Sequence, residues 1–120
     1  MSKTIQTSGK RKRAIARATL RPGKGTVLFN NKILSSVMPE MVRMRMMEPL
    51  LLADKLAQDV DIDVKAMGGG ATSQADAARL AIARALVAHT NSAALKTTFL
   101  EYDRQLLVAD VRRKEQAKPN

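Results

Sequence analysis

Residues 60 to 90 leave little freedom in how this chain can fold. Val60, Ile62, Val64 and Ala66 alternate with Asp61, Asp63 and Lys65, the two-residue period of a strand with one face covered and the other wet. Gly68-Gly69-Gly70-Ala71-Thr72-Ser73-Gln74 follows at once. From about Ser73 to Thr90 the chain is so rich in alanine that a helix there must be buried on more than one side, with Leu80, Ile82, Leu86 and Val87 supplying bulk. A strand therefore passes through a glycine turn into a helix. The glycines permit positive φ and close backbone approach, and Thr72 or Ser73 is placed to cap the first amides of the helix. Free N–H groups and the positive end of a helix dipole suit phosphate oxygens. The same glycines also suit a plain tight turn, and the residues alone leave both readings open.

Charge supplies the second constraint. Of the net +10, residues 1 to 39 hold Lys3, Lys10, Arg11, Lys12, Arg13, Arg17, Arg21, Lys24 and Lys32 and no acid. Residues 40 to 111 are slightly acidic, and Arg112, Arg113, Lys114 and Lys118 face only Glu115. A near-neutral body with basic ends points to a polyanionic partner, nucleic acid before a membrane surface. One domain over residues 1–111 is expected, with 112–120 as a basic, mobile remnant. No cysteine is present, so disulfides, thiolate metal sites and a cysteine nucleophile are excluded. No apolar run approaches a membrane span, no secretory signal opens the chain, and a soluble cytoplasmic protein is expected.

Between the basic start and the glycines, the pattern alternates again. Ala14, Ala16, Ala18 and Leu20 fall on one face of a strand, while Arg11, Arg13, Ile15, Arg17, Thr19 and Arg21 fall on the other. Such a row of arginines is either a solvated face or a phosphate-binding one, and its mutual repulsion without neighbouring carboxylates favours the second. Pro22-Gly23-Lys24-Gly25 fits a turn, Thr26 to Phe29 a second strand, and Asn30-Asn31 a left-handed turn into Lys32 to Leu34. From Ser36 two short helices are expected, the second begun by Pro49 and ending near Ala57. Met38, Met41, Met44, Met46 and Met47 are expected to fill core gaps there, and Leu50, Leu51, Leu52 and Leu56 to complete the wall. Arg79 and Arg84 on so apolar a helix require a partner, either Asp76 for Arg79 or an RNA phosphate. A last helix from Asn91 or Ser92 to Tyr102 and an extended Gln105 to Ala109 complete the expected elements.

Catalysis finds little support. His89 is the only histidine, which removes histidine pairs from acid–base and metal chemistry. Asp61 and Asp63 share a strand face better read as solvated than as a cation site, and the phosphate-loop ending Gly-Lys-Ser/Thr is missing. Phe29, Phe99 and Tyr102 are the only aromatics, too few for a sheet that stacks bases in number. No catalytic residue, metal or cofactor is expected. RNA recognised by shape and phosphate remains, with a free-standing RNA- or DNA-binding protein and a small phosphate-handling enzyme as alternatives.

The motif Gly68-Gly69-Gly70-x-x-Ser73-Gln74-x-x-Ala77-x-x-x-Ala81-Ile82-Ala83-Arg84-Ala85-Leu86 resembles the signature of the small-subunit ribosomal protein nine family. Gly9 to Ala18, Arg21 to Gly25, Glu48 to Ala53 and Leu100 to Arg104 resemble its archaeal and eukaryotic branch, and Met47 to Ala53 its archaeal wording. The resemblance implies an α/β fold of the two-layer α+β kind: a four-stranded sheet with helices packed on one side. It also implies a left-handed β-α-β crossover, as in the second domain of small-subunit ribosomal protein five and in some small-molecule kinases. A structural role in the small ribosomal subunit is implied, bound to the 3′ major domain of its ribosomal RNA beside other head proteins. The RNA-facing residues would be Lys10, Arg11, Lys12, Arg13, Arg17, Arg21, Lys24, Gly68, Gly69, Gly70, Gln74, Arg79 and Arg84, with Arg112, Arg113 and Lys114 at the root of the tail. Family members reach transfer RNA in the P site through a long basic tail. Asp110 to Glu115 resembles only its root, with Val111 where a proline is common and the remainder expected to be missing, so that partner is conditional on the tail.

Overall fold

The computed structural model describes residues 4–53, 55–90, 95 and 97. Strand β1 (Ile5–Arg11) turns back antiparallel onto β2 (Ala14–Pro22), which pairs antiparallel with β5 (Val60–Met67). On the far side of β5 lies the short parallel strand β3 (Val27–Phe29), edged by β4 (Lys32–Ile33), giving the order β1-β2-β5-β3-β4. Helices α1 (Glu40–Ala53) and α2 (Lys55–Gln58) carry the chain from the β3–β4 hairpin across to β5, and α3 (Ala71–Thr90) then packs along β1, β2 and β5. The fold is a two-layer α+β arrangement with its helices on one side of the sheet. It has five strands among the described residues, where four were expected.

The additional strand is β1, and it corrects the reading of the basic run. Residues 11 to 21 are not one strand: the chain reverses at Lys12 and Arg13, with Lys12 at φ 56°, so Arg11 and Arg13 do not continue the row of Arg17 and Arg21. Nothing at the turn announces it, since neither residue is one of the usual turn formers.

Around Gly9, Ala14, Ala16 and Ala18 the helix side of the sheet is built from very small residues. Ala14, Ala16, Ala18, Leu20, Val60, Ile62 and Val64 are buried there, and Ala16 pairs in register with Gly9 on β1. A side chain on Gly9 would run into the Ala77 carbonyl of α3, so the helix lies almost on the backbone of β1. Thr7 Oγ1 reinforces the seam by donating to the Ala81 carbonyl, 2.7 Å away. Along α3, Leu80, Ile82 and Leu86 are fully buried, each contributing about 1.5–3 kcal/mol by leaving water. Burial of α3 on more than one side agrees with its composition.

Helix α1 differs from expectation in two respects. It runs through Pro49 as one helix, because Val42, Met46, Pro49 and Ala53 form a single buried stripe on both sides of the proline, and packing offsets the missing amide. Of the described methionines only Met46 is fully enclosed; Met47 is half-buried, and Met38, Met41 and Met44 are exposed, as are Leu51 and Leu56. Five methionines therefore do not make a core wall, since a helix on a two-layer fold hides one stripe.

Asn30 and Asn31 both adopt positive φ between β3 and β4, as their residue types suggested. Asn30 then extends the sheet with its side chain: Oδ1 accepts from the Ala66 amide at 2.8 Å and Nδ2 donates to the Ala66 carbonyl at 3.3 Å. Leu95 and Thr97 are helical. The remainder of the expected last helix, the extended Gln105 to Ala109 and the boundary at residue 111 lie outside the described residues.

Candidate nucleic-acid interface

The two features singled out in the sequence meet at one end of the molecule. Gly68 and Gly69, at φ 80° and 62°, carry the chain from β5 toward α3, and they do so against the β1–β2 turn. A side chain on Gly68 would strike the Arg13 carbonyl, and one on Gly69 would lie 3.3 Å from Ala14. The turn holding Lys12 and Arg13, both exposed, is thereby set beside the start of α3. Gly70 is different: a side chain there meets nothing within 4 Å. Its carbonyl accepts the Gln74 amide at 2.9 Å, which makes Gly70 the N-cap residue. Thr72 and Ser73, expected as caps, lie instead inside the first turn of a helix that begins at Ala71. The Gln74 side chain folds back and donates to the Gly68 carbonyl at 3.1 Å, bracing the turn.

One carboxylate serves the cations on the helix side of this end. Asp76 Oδ1 lies 2.8 Å from Arg45 and its Oδ2 lies 3.8 Å from Arg11. Arg45 on α1 was not among the residues proposed from sequence, because its partner is 31 positions away. Lys12 and Arg13 lie in the turn at the same end, Lys10 projects from the opposite, open face beside Ile15, and the first amides of α3 add the positive end of the helix dipole.

Arg21 and Lys24 occupy the opposite end of β2, about 26 Å along the strand at the usual rise. There the 23–26 loop is clasped onto β5. Asp61 Oδ1 accepts from the backbone amides of Lys24 at 2.9 Å and Thr26 at 3.0 Å, while Gly23 and Gly25 amides donate to the Asp59 and Val60 carbonyls. The Lys24 and Thr26 amides hold the Asp61 carboxyl below its usual 3.8, and Arg21 across the strand pair adds to the effect. Asp61 was read as a merely solvated residue; its loop-clasping role depends on a turn 35 residues upstream.

Between the ends, Arg17 is exposed on the open face of the sheet, opposite Lys65. The two arginines of α3 are held within the fold. Arg79 is 8% exposed and its guanidinium lies 2.7 Å from Glu48 on α1, so the described carboxylate it pairs with is Glu48 and not Asp76. Arg84 donates to the Ser8 carbonyl at 2.9 Å, covering the backbone of the edge strand β1. Arg112, Arg113 and Lys114 lie outside the described residues. No described helix is long and apolar enough to cross a membrane.

Residues 9–120 match the sequence model of the family described as "Ribosomal protein S9/S16". The chain is similar to proteins named "Small ribosomal subunit protein uS9". That of Methanothrix thermoacetophila is 50% identical over 116 residues, 97% of this chain and 88% of the relative. Those of Methanococcus maripaludis and Methanococcus vannielii are each 46% identical over 118 residues, 98% of this chain and 88% of either relative.

Proposed function

The chain belongs to the ribosomal protein S9/S16 family, and from that membership we propose that it binds ribosomal RNA of the small-subunit head, the 3′ major domain, through phosphate contacts. Its role is structural and not enzymatic: it is a constituent of the small ribosomal subunit that supports translation among neighbouring head proteins. The observation that carries the RNA-binding reading is the convergence of Lys10, Lys12, Arg13, the amides at the start of α3 and the Arg11–Asp76–Arg45 group at one end of the sheet. Cations so placed, with one carboxylate between two arginines, fit a phosphate backbone. Arg17 extends the surface along the open face, and Arg21 and Lys24 form a second, partly neutralised contact. Arg79, Arg84 and Gln74 act from within, holding helix, edge strand and turn in place. Arg112, Arg113 and Lys114 supply further cations for the phosphate backbone.

Chemical footprinting of small-subunit ribosomal RNA with and without the protein, at moderate salt with excess transfer RNA as competitor, tests this reading. Protection confined to the 3′ major domain is expected. Diffuse protection would replace it with a general nucleic-acid binder. With about six phosphates engaged, log affinity should fall against log salt with a slope of about −4 to −5, and a flat response would overturn the phosphate contacts.

A further inference from the structure

On the open face of the sheet, one row reads Lys10, Ile15, Met67 across β1, β2 and β5, and the next reads Ser8, Arg17, Lys65. Ile15 is 41% exposed and Met67 70% exposed. Paired on neighbouring strands about 4.8 Å apart, they make a small apolar platform facing water. Lys10 flanks it in its own row, and Arg17 and Lys65 stand about 7 Å further along the strands. The Lys65 ammonium donates to Asn31 Oδ1 at 2.6 Å, a neutral acceptor that fixes its position and leaves its charge in place. Among the described strand residues of this face the acids are Asp61 and Asp63. Asp63 precedes Met67 by four residues, about 13 Å, and Asp61 is further still and engaged by the 23–26 loop.

An apolar platform bordered by cations is complementary to a partner that alternates negative charges with flat uncharged faces. A single RNA strand has that chemistry: its phosphates repeat, and an unstacked base presents a planar face that a duplex keeps hidden. We infer that Ile15 and Met67 seat one unpaired nucleobase of the bound RNA while Lys10, Arg17 and Lys65 take the phosphates beside it. The Met67 thioether against the ring is a favourable contact and supplies what the chain's few aromatics do not. The inference rests on the RNA-binding reading above and adds a base-holding site to a surface otherwise explained by phosphates.

The test uses the full chain and a transcript of the 3′ major domain of small-subunit ribosomal RNA. The double substitution Ile15→Ser, Met67→Ser removes only exposed side chains and should weaken binding about tenfold with an unchanged salt slope, because no cation is lost. Met67→Trp places the chain's single tryptophan on the platform, and RNA should quench its fluorescence and bind at least as tightly. Thermal melts establish that both variants fold, and Met67→Trp decides if the double variant does not. Wild-type affinity retained by the double variant, together with a tryptophan that stays bright at saturation, would overturn the platform and leave the phosphate-binding reading standing. A wild-type chain that fails to bind the transcript would overturn both.

Discussion

The two ends of β2 are made from similar material and behave as different surfaces. Each places basic side chains next to a turn containing glycine, and at each the turn is pressed against β5 or its continuation. At the 23–26 end Asp61 faces Arg21 and binds the loop through backbone amides. At the 12–13 end the turn is positioned by van der Waals contact with Gly68 and Gly69, and no described carboxylate is bonded to Lys12 or Arg13. The difference teaches that a basic turn held by shape rather than by charge keeps its cations unneutralised, as the proposed phosphate contacts require. A carboxylate clasp orders the loop and at the same time removes much of its attraction for an anion.

The comparison can be broken most sharply at Gly68. Gly68→Val combines positive φ with a side chain driven into the Arg13 carbonyl, and a loss of about 3 kcal/mol is expected, read as a lower midpoint in a thermal melt. Gly70→Ala, which meets open space, should stay within about 0.5 kcal/mol. An unchanged melt for Gly68→Val would show that the end is not held by shape. Next in size, Arg13→Ala with Arg17→Ala should make the salt slope of RNA binding shallower by about 1.5 while the circular dichroism spectrum stays native. The pair Arg21→Ala and Lys24→Ala should change that slope by less than half as much, since Asp61 already offsets those charges. Equal slopes for the two pairs would erase the proposed distinction.

The smallest effect concerns Asp61 itself. Its folded-state pKa is depressed from 3.8 by the loop amides, so its contribution to stability is fully present above the unfolded-state value and lost as pH falls through the folded one. Acid titration below 3.8 should therefore loosen the 23–26 loop in the wild type, a step absent from Asp61→Asn. At neutral pH the same substitution should speed hydrogen exchange at the Lys24 and Thr26 amides. Unchanged exchange there would mean that the clasp does not order the loop.

Much of this architecture could be read in advance where the signal is local. Alternation from Val60 to Ala66, the glycines, the Asn30-Asn31 turn and the alanine-rich helix each specify their own conformation, and they appear as β5, the turn, the β3–β4 hairpin and α3. What escaped depended on partners distant in sequence. Strand β1 was hidden because Lys10 to Arg13 carries no turn former and its alternation joins smoothly to that of β2. The continuity of α1 through Pro49 comes from packing, as does the choice of Glu48 for Arg79. The Asp76 link to Arg45 and the Asp61 clasp likewise join residues more than 30 positions apart. Local pattern supplied the elements and the cationic inventory; which cations remain available was decided by tertiary contacts.

The alanine and glycine seam under α3 also bears on how such a protein can change over generations. Enlarging Gly9 would push helix and sheet apart, and Ala14, Ala16 and Ala18 are equally enclosed, so mutations there act on folding. Ile15, Arg17 and Thr19 alternate with them and face away. Along that strand the residues of the fold and those of the proposed RNA surface sit in alternate codons, so the second set can be revised while the first is left untouched.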